Sequence, residues 1–218
     1  MTSAATILTS IFLPLAGAVL IVLVGNRPNF RETVTLVTAG LLFANVLTLI
    51  PEVAAGGRPA TEPFQVLPQF PLVFVVEPLG MMFATIASSL WILTSIYSIG
   101  YMRGNKEHNQ TRYYVSFAIA LASTMGIAFS GNLLTLFVFY EALTLSTYPL
   151  VTHHGDAAAK QGGRTYLGIL LSTSIGFLLI AILWTWIATG TLDFTEGGIL
   201  AGKADGAMTA ILLFLYMY

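Results

Sequence analysis

Apolar runs about as long as a bilayer is thick dominate this sequence, and they leave little choice of fold. An α-helix rises about 1.5 Å per residue, so about twenty apolar residues cross a hydrocarbon core of about 30 Å. Six such runs stand out: Ala4 to Val24, Thr33 to Ile50, Pro78 to Tyr101, Tyr113 to Phe129, Asn132 to Val151 and Thr165 to Ala188. A seventh, Gly206 to Tyr218, has thirteen residues and is read as a truncated span. Charged residues make up 9% of the chain and mean hydropathy is +0.81, whereas soluble domains carry about 25% charged residues. The fold class expected is all-α, a polytopic transmembrane bundle of six full spans and a truncated seventh, multi-pass in the cell inner (plasma) membrane.

Turn residues punctuate the runs. Gly25, Asn26, Arg27 and Pro28 separate the first two, and Pro51 and Glu52 stop the second. A longer Gly- and Pro-rich connection from Glu52 to Glu77 holds an apolar patch, Phe70 to Val76, too short to span and read as interfacial. Ser130, Gly131 and Asn132 leave room only for a tight hairpin. The chain reads as a single membrane domain, 1–218, in which 1–76 holds the N-terminal helices and an external loop and 77–218 begins the main membrane module. The start, MTSAATILTS, lacks a basic n-region, so the first run reads as a retained helix.

Basic residues fall unevenly about these runs. Arg27, Arg31, Arg103, Lys106, Arg112, Lys160 and Arg164 follow the first, third and fifth runs, against Arg58 and Lys203 on the other side. The positive-inside rule then places the seven in the cytoplasm and the N-terminus outside.

Net charge is −1 and there is no cysteine, so nothing suggests nucleic acid, and disulfides and cysteine-held clusters are excluded. No G-x-G-x-x-G or P-loop occurs. No cofactor and no metal site is expected, and any redox chemistry would belong to other subunits.

Against this background Glu141 is conspicuous. It is the only charged residue in Asn132 to Val151, a run of twenty residues. A carboxylate near the bilayer centre costs about 2.5 kcal/mol or more on insertion scales, so intramembrane acids mark proton or ion pathways, or structural pairs. Residues three, four and seven positions apart share a helix face, which aligns Glu141 with Thr144 and Tyr148 in a polar stripe. Pro149 frees a backbone carbonyl nearby. Acid, hydroxyls and a loosened helix together can order water, and Glu141 is the candidate proton relay, with Thr144 and Tyr148 a candidate water path. His153 and His154 follow in a polar loop and are read as tuning groups. Lys160 and Arg164 share a face at the next helix start. Lys160 is read as a headgroup anchor and Arg164 as the candidate counter-charge for Glu141. Ser172, Thr173, Ser174 and Gly176 suggest close helix packing or a hydrated crevice, with packing preferred.

NLLTLFVFYEALTLSTYPLV, followed by AAKQGGRTYLGILLSTS, resembles the fifth and sixth helices of the antiporter-like proton-channel subunits. Those subunits occur in proton-pumping NADH:quinone oxidoreductase (complex I) and in multi-subunit cation/proton antiporters. EPLGMMFATIASSLWILTSIYSIGYMRG and TGTLDF match in order and spacing, and the likeness is strongest to the D-like members of the cation/proton antiporters. The resemblance implies about fourteen helices with two inverted five-helix repeats, of which this chain would be the N-terminal portion. It implies that Glu141 is the family's fifth-helix glutamate, acting with a seventh-helix lysine beyond Tyr218, and that Arg164 lies near a basic position of the sixth. Implied partners are other membrane subunits, the lipid bilayer, protons and Na+ or K+. The reading is a membrane subunit carrying part of a proton path. Its rival is a structural or assembly subunit that transports nothing.

Overall fold

The computed structural model describes residues 2–67 and 69–217 and is mostly helical. Helix α1 (Ser3–Leu23) is capped by Thr2, whose hydroxyl accepts from the Ala5 amide. Helix α2 (Pro28–Leu47) opens on a proline, which suits the first turn because no intrahelical bond is lost there. A short helix, α3 (Ile50–Ala54), extends it. Helix α4 (Pro78–Gly104) also opens on proline, and α5 (Gln110–Ala128) returns beside it. Helix α6 (Leu133–Val151) is capped by Asn132, which accepts from the Thr135 amide at 2.7 Å. Asp156 caps α7 (Ala157–Thr173) in the same manner. A π-helical turn (Ser174–Leu179) joins α7 to α8 (Ile180–Thr189), and Gly190, at φ +74°, ends the run in a conformation that favours glycine. Helix α9 (Gly206–Met217) closes the described chain, and Tyr218 lies outside it.

Five of these helical runs are long and apolar enough to cross a membrane: Ser3–Leu23, Pro28–Ala54, Pro78–Gly104, Leu133–Val151 and Ala157–Thr189. The fourth expected span is a helix, α5, but is not among them. Most of its buried positions are small or polar, with Ser116, Ala118, Ala120, Ala122, Ser123 and Gly126 beside the larger Tyr114, Leu121 and Met125. A helix packed against α1, α4 and α6 meets protein on several sides and does not need an apolar coat.

The core lies where α1, α2, α4 and α5 meet. Ile7, Ile11 and Ile21 of α1 pack with Leu42 and Val46 of α2, Trp91 of α4, and Tyr114 and Met125 of α5. Helix α6 lies outside this core against α5, and α7, α8 and α9 form a further layer against α6. Two contacts allow no side chain. A Cβ on Gly80 would sit 2.0 Å from the Ala128 carbonyl oxygen, and one on Gly126 would sit 2.2 Å from the Phe139 ring.

The connection between α3 and α4 departs from the all-α expectation. Strands β1 (Phe64–Leu67) and β2 (Phe70–Leu72) pair antiparallel, with Phe64 opposite Leu72 and an irregularity between Gln65 and Leu67. The patch at Phe70 to Val76, expected to be interfacial, is stitched to the α5–α6 turn. Val75 donates to the Phe129 carbonyl, and Gly131 donates to that of Val73, both at 2.8 Å. Val73 N–H donates to the Thr135 hydroxyl at 2.8 Å. Phe74 and Val76 are buried, and Phe74 meets Phe139 edge-on. Backbone groups placed beside a membrane bundle must find partners, and the tight turn supplies them.

The Gly80 contact yields a clear expectation. Gly80→Ala drives a methyl group into a backbone carbonyl, which cannot rotate away, and should lower stability by about 1–3 kcal/mol. Gly100→Ala, on the same helix but with nothing within 4 Å, is the control. Thermal unfolding in detergent should show a lower midpoint for the first and no decrease for the second. Equal midpoints would show that α4 and α5 do not approach this closely.

Candidate functional site

Helix α6 carries the candidate site. Asn132 fixes its start, donating to the Pro71 carbonyl at 2.9 Å while accepting from Thr135. Arg112 fixes its end, reaching the Thr152 and His153 carbonyls at 3.2 and 2.8 Å. A guanidinium on the last carbonyls of a helix complements the negative end of its dipole. Arg112, counted from sequence among the loop bases, therefore acts as a C-terminal cap.

Between these anchors stands Glu141. Both carboxyl oxygens are buried, and neither has a hydrogen-bond partner among the described residues. Two hydroxyls of α6 are satisfied on their own helix: Ser146 donates to the Leu143 carbonyl and Thr147 to that of Thr144, each at 2.7 Å. Glu141 lies between a buried residue, Thr144, and two exposed apolar ones, Val138 and Leu145. The carboxyl is thus at the border of the packed and outward faces. A buried carboxyl without a partner is costly, which makes Glu141 a candidate functional group.

The remaining sequence-predicted residues fall as follows. Thr144 is buried. The ring of Tyr148 lies against α7, where a Cβ on Gly163 would be 3.2 Å from it and 2.2 Å from Thr152 Cγ2. Arg164 follows Gly163 but is exposed on α7 and forms no ion pair among the described residues. The structure brings Thr144 and Tyr148 onto the packed side of α6 and does not bring Arg164 to Glu141. His153 sits 3.8 Å from Glu107 and edge-on to Tyr113. Burial, then the nearby Arg112 charge, push its pKa below the usual histidine value. His153 is therefore mostly neutral near pH 7.

Thr173 and the buried Ser174 border open space on one side. Together with Tyr140 and Tyr216 they line a cavity of about 430 Å3 between α6, the π turn and α9. A Cβ on Gly176 would meet nothing within 4 Å, so the preferred close-packing reading does not hold at that residue. Thr173 donates to the Ile169 and Leu170 carbonyls, and Ser174 to Leu171, at the point where the helix widens. Such back-bonding loosens a helix, and π turns recur at functional sites.

One charged cluster escaped the sequence reading. Arg31 and Glu32, in the first turns of α2, are 4% and 5% exposed. Arg31 donates to Gln110 at 2.6 Å and to Thr111 at 3.2 Å, and its guanidinium lies 5.2 Å from the Tyr114 ring centre. Glu32 accepts from Arg103 through both oxygens, and Arg103 also donates to Asn29 at 2.6 Å. The cluster ties α2, α4 and α5 together at one end of the bundle. Its only trace in sequence is an acid within a basic-rich segment.

Glu32→Gln strips the buried Arg31 of its carboxylate while leaving Gln110 and Thr111 in place. A loss of roughly 2 kcal/mol is expected, below the usual cost of breaking a buried pair because two bonds remain. Arg58→Ala, which breaks exposed contacts to Glu77 and Glu196, should change little. Denaturation of purified protein checks both, and a neutral Glu32→Gln would mean that the cluster contributes no stability.

Comparison with known proteins meets this geometry. Residues 130–218, which include α6, the π turn and α9, match the family model described as NADH:quinone oxidoreductase/Mrp antiporter, TM. NADH-quinone oxidoreductase subunit N of Myxococcus xanthus is 29% identical over 202 residues, which is 91% of this chain and 38% of that protein. NAD(P)H-quinone oxidoreductase chain 5 of Synechocystis is 28% identical over 148 residues, 65% of this chain and 21% of that protein. The chain thus spans between about a fifth and two-fifths of the length of these relatives. The fold matches a chain in the structure of the Mrp complex from Dietzia sp. DQ12-45-1b with a TM-score of 0.77 at 24% identity, covering 99% of this chain and 40% of that one. The chain is thus similar, in sequence over residues 130–218 and in fold over nearly its whole length, to antiporter-like membrane subunits of NADH:quinone oxidoreductases and Mrp-type antiporters.

Proposed function

We propose that this chain supplies part of a proton path in a cation/proton antiporter or complex I-like assembly, with Glu141 as its relay. The observation that carries the reading is the pair of buried, unpartnered carboxyl oxygens in a helix with no other charge. The cavity bordered by Tyr140, Thr173 and Ser174 supports it, since a space of about 430 Å3 with these hydroxyls among its apolar walls has room for water beside the same helix. The proton would move between such water and Glu141, and a counter-charge on a neighbouring helix would drive its release. Arg164 reaches that role only if α7 turns its exposed side chain inward. An arginine holds its own proton, so it would bias Glu141 without receiving the proton. Partners in this reading are the other membrane subunits of such an assembly, with protons and Na+ or K+ as the ions moved.

Gln keeps the shape of Glu141 but cannot ionise. Glu141→Gln should abolish proton-coupled flux in proteoliposomes at matched protein level, while Asp retains part of it. Wild-type flux with Gln would leave Glu141 a structural role only.

The orientation belongs to the same proposal. The seven-to-two excess of Lys and Arg places the turns at Arg27, Arg103 and Lys160 in the cytoplasm of a cell whose inner membrane holds the protein, with the N-terminus outside. A single cysteine near Lys160 should resist an impermeant thiol reagent in intact cells and react in inverted vesicles. Labelling in intact cells would reverse the topology.

A further inference from the structure

The basic end of the bundle carries an open pocket of about 630 Å3, away from Glu141, where α1 turns into α2 and α4 into α5. Arg27, Asn29, Phe30, Arg103, Lys106 and Gln110 line it. Its charges are not equally engaged. Arg103 is held by Glu32 and Asn29. Arg27 and Lys106 are exposed and form no ion pair or side-chain hydrogen bond among the described residues, although Arg27 lies 5.9 Å over the Phe30 ring. Of the acids near it, Glu32 is already bound to Arg103 and Arg31, and Glu107, next to Lys106 in the chain, lies 3.8 Å from His153. Helix α2 starts here without a side-chain cap, so the positive end of its dipole lies at this end of the bundle.

Apolar surface continues from this charge. Phe30, Val37 and Leu41 are exposed along α2, and Leu93, Ile96 and Tyr97 along α4. Tyr97 stacks on Tyr101 near the pocket, the level at which tyrosine meets lipid headgroups. Two unspent cations above a strip of exposed hydrocarbon match a molecule that is anionic at one end and apolar along its length. We propose that this pocket binds the headgroup of an anionic phospholipid. The phosphate lies between Arg27 and Lys106, and the acyl chains run down the outer faces of α2 and α4. A zwitterionic lipid presents the same phosphate but brings its own cation, which the two bases repel.

The test is native mass spectrometry of the purified full chain in detergent, titrated with phosphatidylglycerol or phosphatidylcholine. Wild type should retain phosphatidylglycerol in preference. Each juxtamembrane base contributes about fivefold to anionic-lipid affinity, so Arg27→Gln/Lys106→Gln should lose about 25-fold for phosphatidylglycerol and little for phosphatidylcholine. Both side chains are exposed, so folding should survive, and an unchanged helical circular dichroism spectrum verifies this. Arg58→Gln, at the other end, should retain wild-type binding. Undiminished phosphatidylglycerol binding by the double variant, or an equal loss in Arg58→Gln, overturns the site. Displacement of the lipid by excess inorganic phosphate alone would make it a free-anion site and overturn the lipid assignment.

Discussion

Hydrocarbon offers no hydrogen bonds, and that single constraint organises most of what is seen here. Backbone groups must be satisfied within helices, and so must most hydroxyls. Ser10, Thr35, Thr38, Thr85, Ser88, Ser123 and Thr124 each donate to the carbonyl four residues earlier on their own helix. Most of these hydroxyls are thereby spent on their own helix, although Ser10 also accepts from Asn45 of α2, and the bundle packs largely through apolar contacts and close approaches such as Gly80 on Ala128. The carboxyl of Glu141 is long enough to reach away from its backbone and finds no partner there. Trp91 Nε1 and the Tyr114 hydroxyl are also buried without a partner among the described residues, but Glu141 is the one carboxyl so placed.

Charge is handled differently at the ends. Where water is near, ions gather into shared lattices: Arg31, Glu32 and Arg103 at one end, Arg58 with Glu77 and Glu196 at the other. The first lattice is partly buried and joins three helices, so it fixes their relative height. The second is exposed and screened. Helix ends are also secured individually, with Lys203 donating to the Thr189 carbonyl at the end of α8 and Asp205 accepting from Met208 at the start of α9. The middle of the bundle is left to van der Waals packing, which tolerates the cavity beside Tyr140 and Ser174.

Hydropathy made the helices legible because bilayer thickness imposes a length on them. Pro28, Pro78, Asn132 and Gly190 marked their boundaries through local backbone chemistry. Glu141 was legible for the same reason, as the one charge in a long neutral run. The β1–β2 hairpin was not, because its pairing partners and the α5–α6 turn that anchors it lie far off along the chain, and Gly and Pro nearby suggest irregular loop. Glu32 was hidden by its neighbours: beside Arg27, Asn29 and Arg31 it reads as a solvated helix start. The separation of Arg164 from Glu141 was equally out of reach, since which face of α7 meets α6 depends on Gly163 seating against Thr152 and Tyr148.

The π turn at Ser174–Leu179 inserts a register slip into an otherwise continuous helix. One surplus residue amounts to about 100° of helical phase, so α8 does not present the face that a straight continuation of α7 would present. Thr185 and Tyr216 share a hydrogen bond at 2.9 Å across the α8–α9 contact. That bond is made in the slipped register. The last helix is therefore keyed to the number of residues wound into a turn several residues before Thr185, and the fold holds a count as well as a shape.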